Sequence, residues 1–492
     1  MSATIVALNP ENDNIDFSGS LNAGSELDDE VPVLQVDEFV PEDYSSIEEE
    51  QKQLVALENK AIDLLDLVAT IKSTNGMTKR FALEAETILP SFPKLAQGFY
   101  TSIPTATRLQ VSLEEMSKGL MALIAAAVTM VIAAIVKFIS WVTGKKSDTA
   151  DKSESEIVSD IETASKEKEA AVNVFKECTD KLVDLDKEAA KDVYRAIVVI
   201  DNGDDVAPTH IESLQQAIEI FFIKNEKSGH LKKFINAEDV ILRDILNNGE
   251  YSKKILSVQK QIGSISTSLK QKSNLLSEIL KEYVKGNLSV ESVGMLNRKL
   301  EIINKKLTLS AFGKVMTVQE ISDTLTSARI QTEINEDYSP VTFDRVIKGV
   351  SDFYSRLDYV HYNKSVTEAS KAMASMKTSM GRLSAIPGGM YTDGDNTSAL
   401  AASIRQAIFT IGSEVSATRH LLSNLDSYFL RASYFSKEIA GVATHIYETL
   451  DKNTAIKTEH YPDLWENYVK KASALRNQLQ KAYAAFDKAK NK

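Results

Sequence analysis

Proline is scarce in this chain, 10 in 492 residues, and none lies between Pro104 and Pro208, Pro208 and Pro340, or Pro387 and Pro462. Proline removes a helical donor and clashes with the preceding turn, so its absence over such spans permits very long helices. Runs of β-branched residues alternating between turn signals, the mark of strands, are also missing. Cysteine is nearly absent: Cys178 stands alone, which excludes an intramolecular disulfide and a cysteine-based zinc site. Basic residues are missing from one region only. Residues 1–50 hold 14 Asp or Glu and no Lys or Arg, leaving 55 acids against 57 bases in the rest, so the net charge of −12 belongs to the N-terminal end. No basic stretch followed by an apolar core opens the chain, so no ordinary signal peptide is expected and synthesis is expected in the cytoplasm.

Against this charged background one stretch is apolar. From Leu120 to Val136, 17 consecutive residues carry no charge, and Thr129 is their only polar member. Extended to Gly119–Val142 as a helix, the stretch is about 36 Å long, enough to cross a hydrocarbon core of about 30 Å. Six of the 17 are alanine, at 122, 125, 126, 127, 133 and 134, which suits close helix packing as well as lipid. A core helix of a soluble bundle keeps a polar face; none is visible here. Lys137 comes late enough to reach an interface, Phe138 and Trp141 sit beside it, and Lys145 and Lys146 follow, the order of an aromatic and basic membrane boundary. Leu120, Leu123, Ile124, Val128, Val131, Ile132, Ile135, Val136, Phe138, Ile139 and Trp141 are therefore the expected membrane-insertion residues.

The chain divides into five segments. Residues 1–45 read as a disordered acidic tail, solubilising or partner-binding. Residues 46–104 carry short amphipathic helices: a capping box at Ser46 and Glu49 opens the first, which ends near Asn75-Gly76, and Arg80–Leu89 forms the second. Residues 105–147 hold the hydrophobic helix, with Ser112 and Glu115 as its capping box. Residues 148–386 form a long helical bundle. Its seams run from Ile157 to Val193, then, after a break at Asp201–Asp205 and a helix capped by Thr209 and Glu212, from Ile255 to Tyr283 and on through Leu296, Leu300, Ile303 and Leu307. Lys272 is a polar residue in that second seam. Thr317 with Glu320, and Ser339 before Pro340, read as helix starts. Residues 387–492 follow a Gly- and Asp-rich turn and carry a seam from Ile404 to Ile446, then a last helix after Pro462. From Lys470 to Lys492 that helix holds seven Lys or Arg against Asp487, a face for solvent or for non-specific DNA or anionic lipid. The fold class is all-α: an elongated bundle of long, partly coiled-coil-like helices.

Chemistry is sparse. His210, His230, His361, His420, His445 and His460 make no His-Glu-x-x-His pair, and no phosphate-binding or dinucleotide glycine loop occurs. Cys178 falls on a seam, where a structural thiol is expected. Asp201, Asp205 and Glu212 match three positions of a calcium loop, but Val206 replaces its glycine and Gly203 offers no ligand; Asp393 and Asp395 lack the closing Glu. Both loops read as turns. The expectation is a protein without catalytic residues, cofactor, metal or small-molecule substrate.

The string AAIVKFISWVTGKK, Ala133 to Lys146, resembles the apolar-then-Trp/Lys segment of internal virion proteins of large tailed bacteriophages. These pair it with long, catalytically silent helices and acidic N-terminal regions. The resemblance implies a chain packaged inside the phage head, trimmed by a head protease after Glu (Glu48 or Glu84 would fit), and in some cases ejected with the DNA; the expected partners are other virion proteins or further copies of the chain through its long helices, with the host membrane as a further one. It carries over no functional residue. The alternative expectation is a helical pore-forming toxin component whose bundle shields the apolar helix until insertion; a single-span membrane scaffold with coiled-coil arms is a third class.

Overall fold

The computed structural model describes residues 45–88, 105–145, 151–201, 239–284, 289–334, 343–383, 395–452 and 464–487. They are almost entirely helical: α1 (Ser45–Ser73), α2 (Lys79–Ile88), α3 (Thr105–Thr143), α4 (Glu154–Asp201), α5 (Val240–Leu246), α6 (Glu250–Gln259), α7 (Ile262–Val284), α8 (Val290–Asn304), α9 (Val318–Ile334), α10 (Phe343–Arg356), α11 (Tyr359–Leu383), α12 (Asp395–Lys452) and α13 (Leu464–Asp487). The all-α expectation holds.

Several ends follow from the local sequence. After α1, Asn75 and Gly76 take positive φ, and the Gly76 amide donates to the Ile71 carbonyl. Thr317 and Glu320 form the expected reciprocal capping box at the start of α9. A second box that the sequence reading missed, Ser153 with Glu156, opens α4. Three expectations change. α3 begins at Thr105, just after Pro104, so Ser112 and Glu115 lie inside a helix rather than at its start. The seam from Ile255 to Tyr283 belongs to two helices, because the chain breaks at Lys260-Gln261, where buried Gln259 donates its side-chain amide to the Asp358 carbonyl. Finally, Leu307 does not continue the helical seam. It leads into a two-stranded antiparallel hairpin, β1 (Thr308–Ala311) and β2 (Lys314–Thr317), in which Thr308 pairs with Thr317. Phe312 and Gly313 supply the positive φ angles that a two-residue hairpin turn requires. The expected helix capped by Thr209 and the Ser339-Pro340 start lie outside the described residues.

α12 is the hub. It packs against α1, α3, α4, α5, α6, α8, α9, α10, α11 and α13, and every residue from Leu421 to Leu430 is buried. The interhelical bonds give directions. α13 returns antiparallel along α12, with Tyr447 on Tyr468 and Tyr434 on Tyr483. α4 runs parallel to α12, joined through Lys168 to Asp426 and Thr179 to Ser436. α11 lies antiparallel to α4, through Asn363 to Ser165 and Thr378 to Glu154.

This central helix is unusually polar for its position. Glu414, Thr418, His420, Asn424, Asp426, Ser433 and Ser436 are all buried. A buried charge is tolerated only with partners. Lys272 donates to both carboxylate oxygens of Glu414 at 2.6 and 2.8 Å and to the Lys305 carbonyl at 2.7 Å, while the Leu307 amide donates to Glu414 at 2.8 Å. Burial nevertheless holds the Glu414 carboxyl above its ordinary range, against the attraction of Lys272. Asp426 accepts the Tyr362 hydroxyl at 2.6 Å and faces Lys168 at 3.5 Å.

Candidate membrane-insertion helix

α3 lies beside this hub and is covered by α1, α4, α11 and α12. Its apolar run sorts by side-chain size. Leu120, Leu123, Ile124, Val128, Val131, Ile135, Phe138 and Ile139, eight of the expected insertion residues, are buried at 3% exposure or less. Ile132, Val136 and Trp141 are half-buried. The three-and-four spacing of the buried set is that of one helical face. The opposite face is exposed and consists of Ala122, Ala125, Ala126, Thr129, Ala133 and Lys137. The helix thus has two sides, which the missing polar face concealed: an inward face of bulky residues joined by Ala127 and Ala134, and an outward face of small ones. Half of its most apolar window is buried.

The boundary residues also have protein partners. Lys137 forms an ion pair with Glu50 of α1, and Lys145 pairs with Asp160 of α4. The Trp141 ring packs against Phe138 and carries the Lys168 ammonium 5.4 Å above its centroid, a favourable cation–π arrangement. In this conformation the aromatic and basic cluster serves packing; Lys146 lies outside the described residues.

α1 runs antiparallel to α3: Glu50 meets Lys137, and further along Leu54 and Val131 both close on the same point of α12. This crossing depends on Gly412 of α12. A Cβ there would sit 2.6 Å from Val131 Cγ2 and 2.7 Å from Leu54 Cδ2. Glycine therefore makes the notch into which α1 and α3 both press, and neither the seam pattern nor the turn signals singled it out. The signal was present as a lone glycine inside a long helix, which costs stability unless a close approach uses it. Glu50 also accepts from Arg419 of α12, so one carboxylate ties α1 to two helices.

Other candidates fall into place as structure. Cys178 is buried, and its thiol donates to Gln478 Oε1 at 3.3 Å. Burial pushes that thiol above its ordinary value, so it stays protonated and a poor nucleophile. On the basic helix α13, Lys470 pairs with Glu466, and Lys471 pairs with Glu188 while lying 5.5 Å over the Tyr468 ring. His210, His230, His460, the calcium-like loop residues Asp205, Glu212 and Asp393, and residues 488–492 lie outside the described residues. No group of three or more His, Cys, Asp or Glu among the described residues is placed to hold a metal ion. Comparison with protein-family models, curated proteins and solved structures finds no match.

Proposed function

We propose that this chain is a non-enzymatic structural protein of a phage virion, packaged inside the head, which carries α3 sheathed and delivers it to the host membrane on ejection. The observation that carries the membrane half is an inversion of the usual order. Burial of apolar surface contributes roughly 25 cal/mol per Å², so a soluble bundle gains most by placing its most apolar helix at the centre. Here the centre is α12, with its buried ion pairs, and α3 lies at the side with an alanine face toward solvent. Apolarity all round α3 is not used by this packing. It fits a second environment, a bilayer, in which both faces are covered. The phage assignment rests on the resemblance of Ala133–Lys146 and on the acidic, long-helix layout.

The two halves are tested separately. Mass spectrometry of purified phage particles is expected to find the chain, with an N-terminus after Glu48 or Glu84 if it is trimmed; absence from particles overturns the virion placement. For the membrane half, Ala126→Asp and Ala133→Asp are the suitable variants, since both positions are exposed and leave the bundle intact, whereas Ala127 is fully buried. An Asp at mid-bilayer costs about 2.5–3.5 kcal/mol, so each variant should keep wild-type helicity and lose vesicle association. Unchanged association would return α3 to a purely structural role. Purified protein that releases dye from liposomes unaided would favour the pore-forming alternative.

A further inference from the structure

We infer that α1 is a detachable strap, the one covering helix that leaves α3 when α3 is delivered. The inference rests on the membrane reading above for its purpose and on three observations for its mechanics.

Connectivity comes first. Among the described helices α1 and α2 come before α3, and α1 packs mainly on α2, α3 and α12, so it can be released with the contacts among α4–α13 left in place. The other covers cannot. α12 is the hub, α4 is held by α10, α11, α12 and α13, and α11 is packed along α7 and α4.

Packing is the second. α1 is flanked by two voids. An open groove of about 540 Å³ runs along part of its border with α9 and α12, lined by Gln51, Val55 and Asn59 on one side and Gln319, Asp323 and His420 on the other. A cleft of about 130 Å³ opens at its crossing with α3 and α12, beside Glu50, Leu54, Val131 and Gly412. Val55 and Ile62, one heptad apart, are 52% and 42% exposed.

The third is the nature of the fastening. α1 is joined to α9 by a Gln51–Gln319 hydrogen bond and to α3 and α12 through the Glu50 carboxylate, which meets the exposed Lys137 and the mostly buried Arg419. Of the two pairs, the one to Lys137 is of the exposed kind that holds weakly. Beneath them α1 does bury Ile47, Leu54, Ala61, Leu64, Leu67, Val68 and Ile71. Detachment in water exposes that seam together with the inner face of α3, and both costs oppose it. At a bilayer the α3 face is covered by lipid instead, so opening couples to membrane contact.

The test uses the full chain carrying Glu50→Cys and Lys137→Cys, positions whose side chains meet, with and without a bismaleimide bridge. Cys178, the one native thiol, is buried and does not react. Without the bridge, amides of α1 should exchange with solvent at least about tenfold faster than those of α12 from Leu421 to Leu430, through a shared opening with α3; the bridge should abolish the difference. Exchange in α1 as slow as in α12, or a bridge without effect, overturns the strap. With vesicles of anionic and zwitterionic phospholipid, the bridged protein should lose association that the unbridged protein retains. If both associate, the strap is overturned and the membrane reading stands. If wild-type protein does not associate, the membrane reading falls, and the exchange measurement alone decides whether α1 detaches.

Discussion

At the scale of single residues, Lys272 shows how a seam reading extends to energetics. Its place in an otherwise apolar seam marks a polar position that can fix register at some cost in stability. The structure supplies the partner, Glu414, 142 residues away, with both side chains nearly buried. Removing one member of such a pair strands a charge, so Lys272→Met should cost about 3–5 kcal/mol in urea unfolding. Replacing both, with Lys272→Met and Glu414→Leu, should recover most of that loss. Some should remain, because the Lys305 carbonyl and Leu307 amide lose their partner. The single variant also has a pH signature. Without Lys272 the Glu414 carboxyl rises further above its unfolded value, so the folded state binds a proton that the unfolded state has released. Stability then falls as pH rises through that window. The deficit relative to wild type should be smaller at ~pH 5 than at ~pH 7, and a deficit that grows on acidification would contradict the assignment.

At the scale of elements, α3 was legible in outline and not in placement. The alternation of bulky residues at 120, 123, 124, 128, 131, 135 and 138 with small ones at 122, 125, 126, 129 and 133 is a helical face written in volume rather than polarity. Hydropathy cannot register it, because alanine counts as apolar on either side. Which helices cover the bulky face depends on contacts far apart in sequence, and no local pattern encodes them. The break at Lys260-Gln261 was hidden for a related reason: Ile255, Val258, Ile262 and Ile265 keep one spacing through it, since both helices face the same core. Gly412 offers a direct test of how α1 and α3 are seated. A leucine there has no room against Val131 and Leu54, and overpacking of this kind costs about 1–3 kcal/mol. Gly412→Leu should therefore lower the urea midpoint and speed hydrogen exchange in α1 and α3, while leaving exchange in α13 unchanged. Equal acceleration everywhere would mean that the notch supports the whole bundle.

At the scale of the whole molecule, the arrangement around α12 makes stability uneven. Helices α11 and α13 both pack against α4, and all three reach α12, so they share one cooperative core. α3 contributes one face only, and its outer alanines add no packing. The two tryptophans of the chain divide this difference between them. Trp141 sits at the end of α3 beneath Lys168, and Trp465 is buried at the start of α13 against Tyr468. Trp465→Phe leaves Trp141 to report on the seat of α3, and Trp141→Phe leaves Trp465 to report on the α12–α13 core. A two-state protein gives coincident transitions by every probe. Here Trp141 fluorescence should change at a lower urea concentration than Trp465 fluorescence, with most of the helical circular dichroism following the latter. Coincident midpoints would mean that α3 is bound as tightly as the centre, and that its apolar length is spent on the folded state alone.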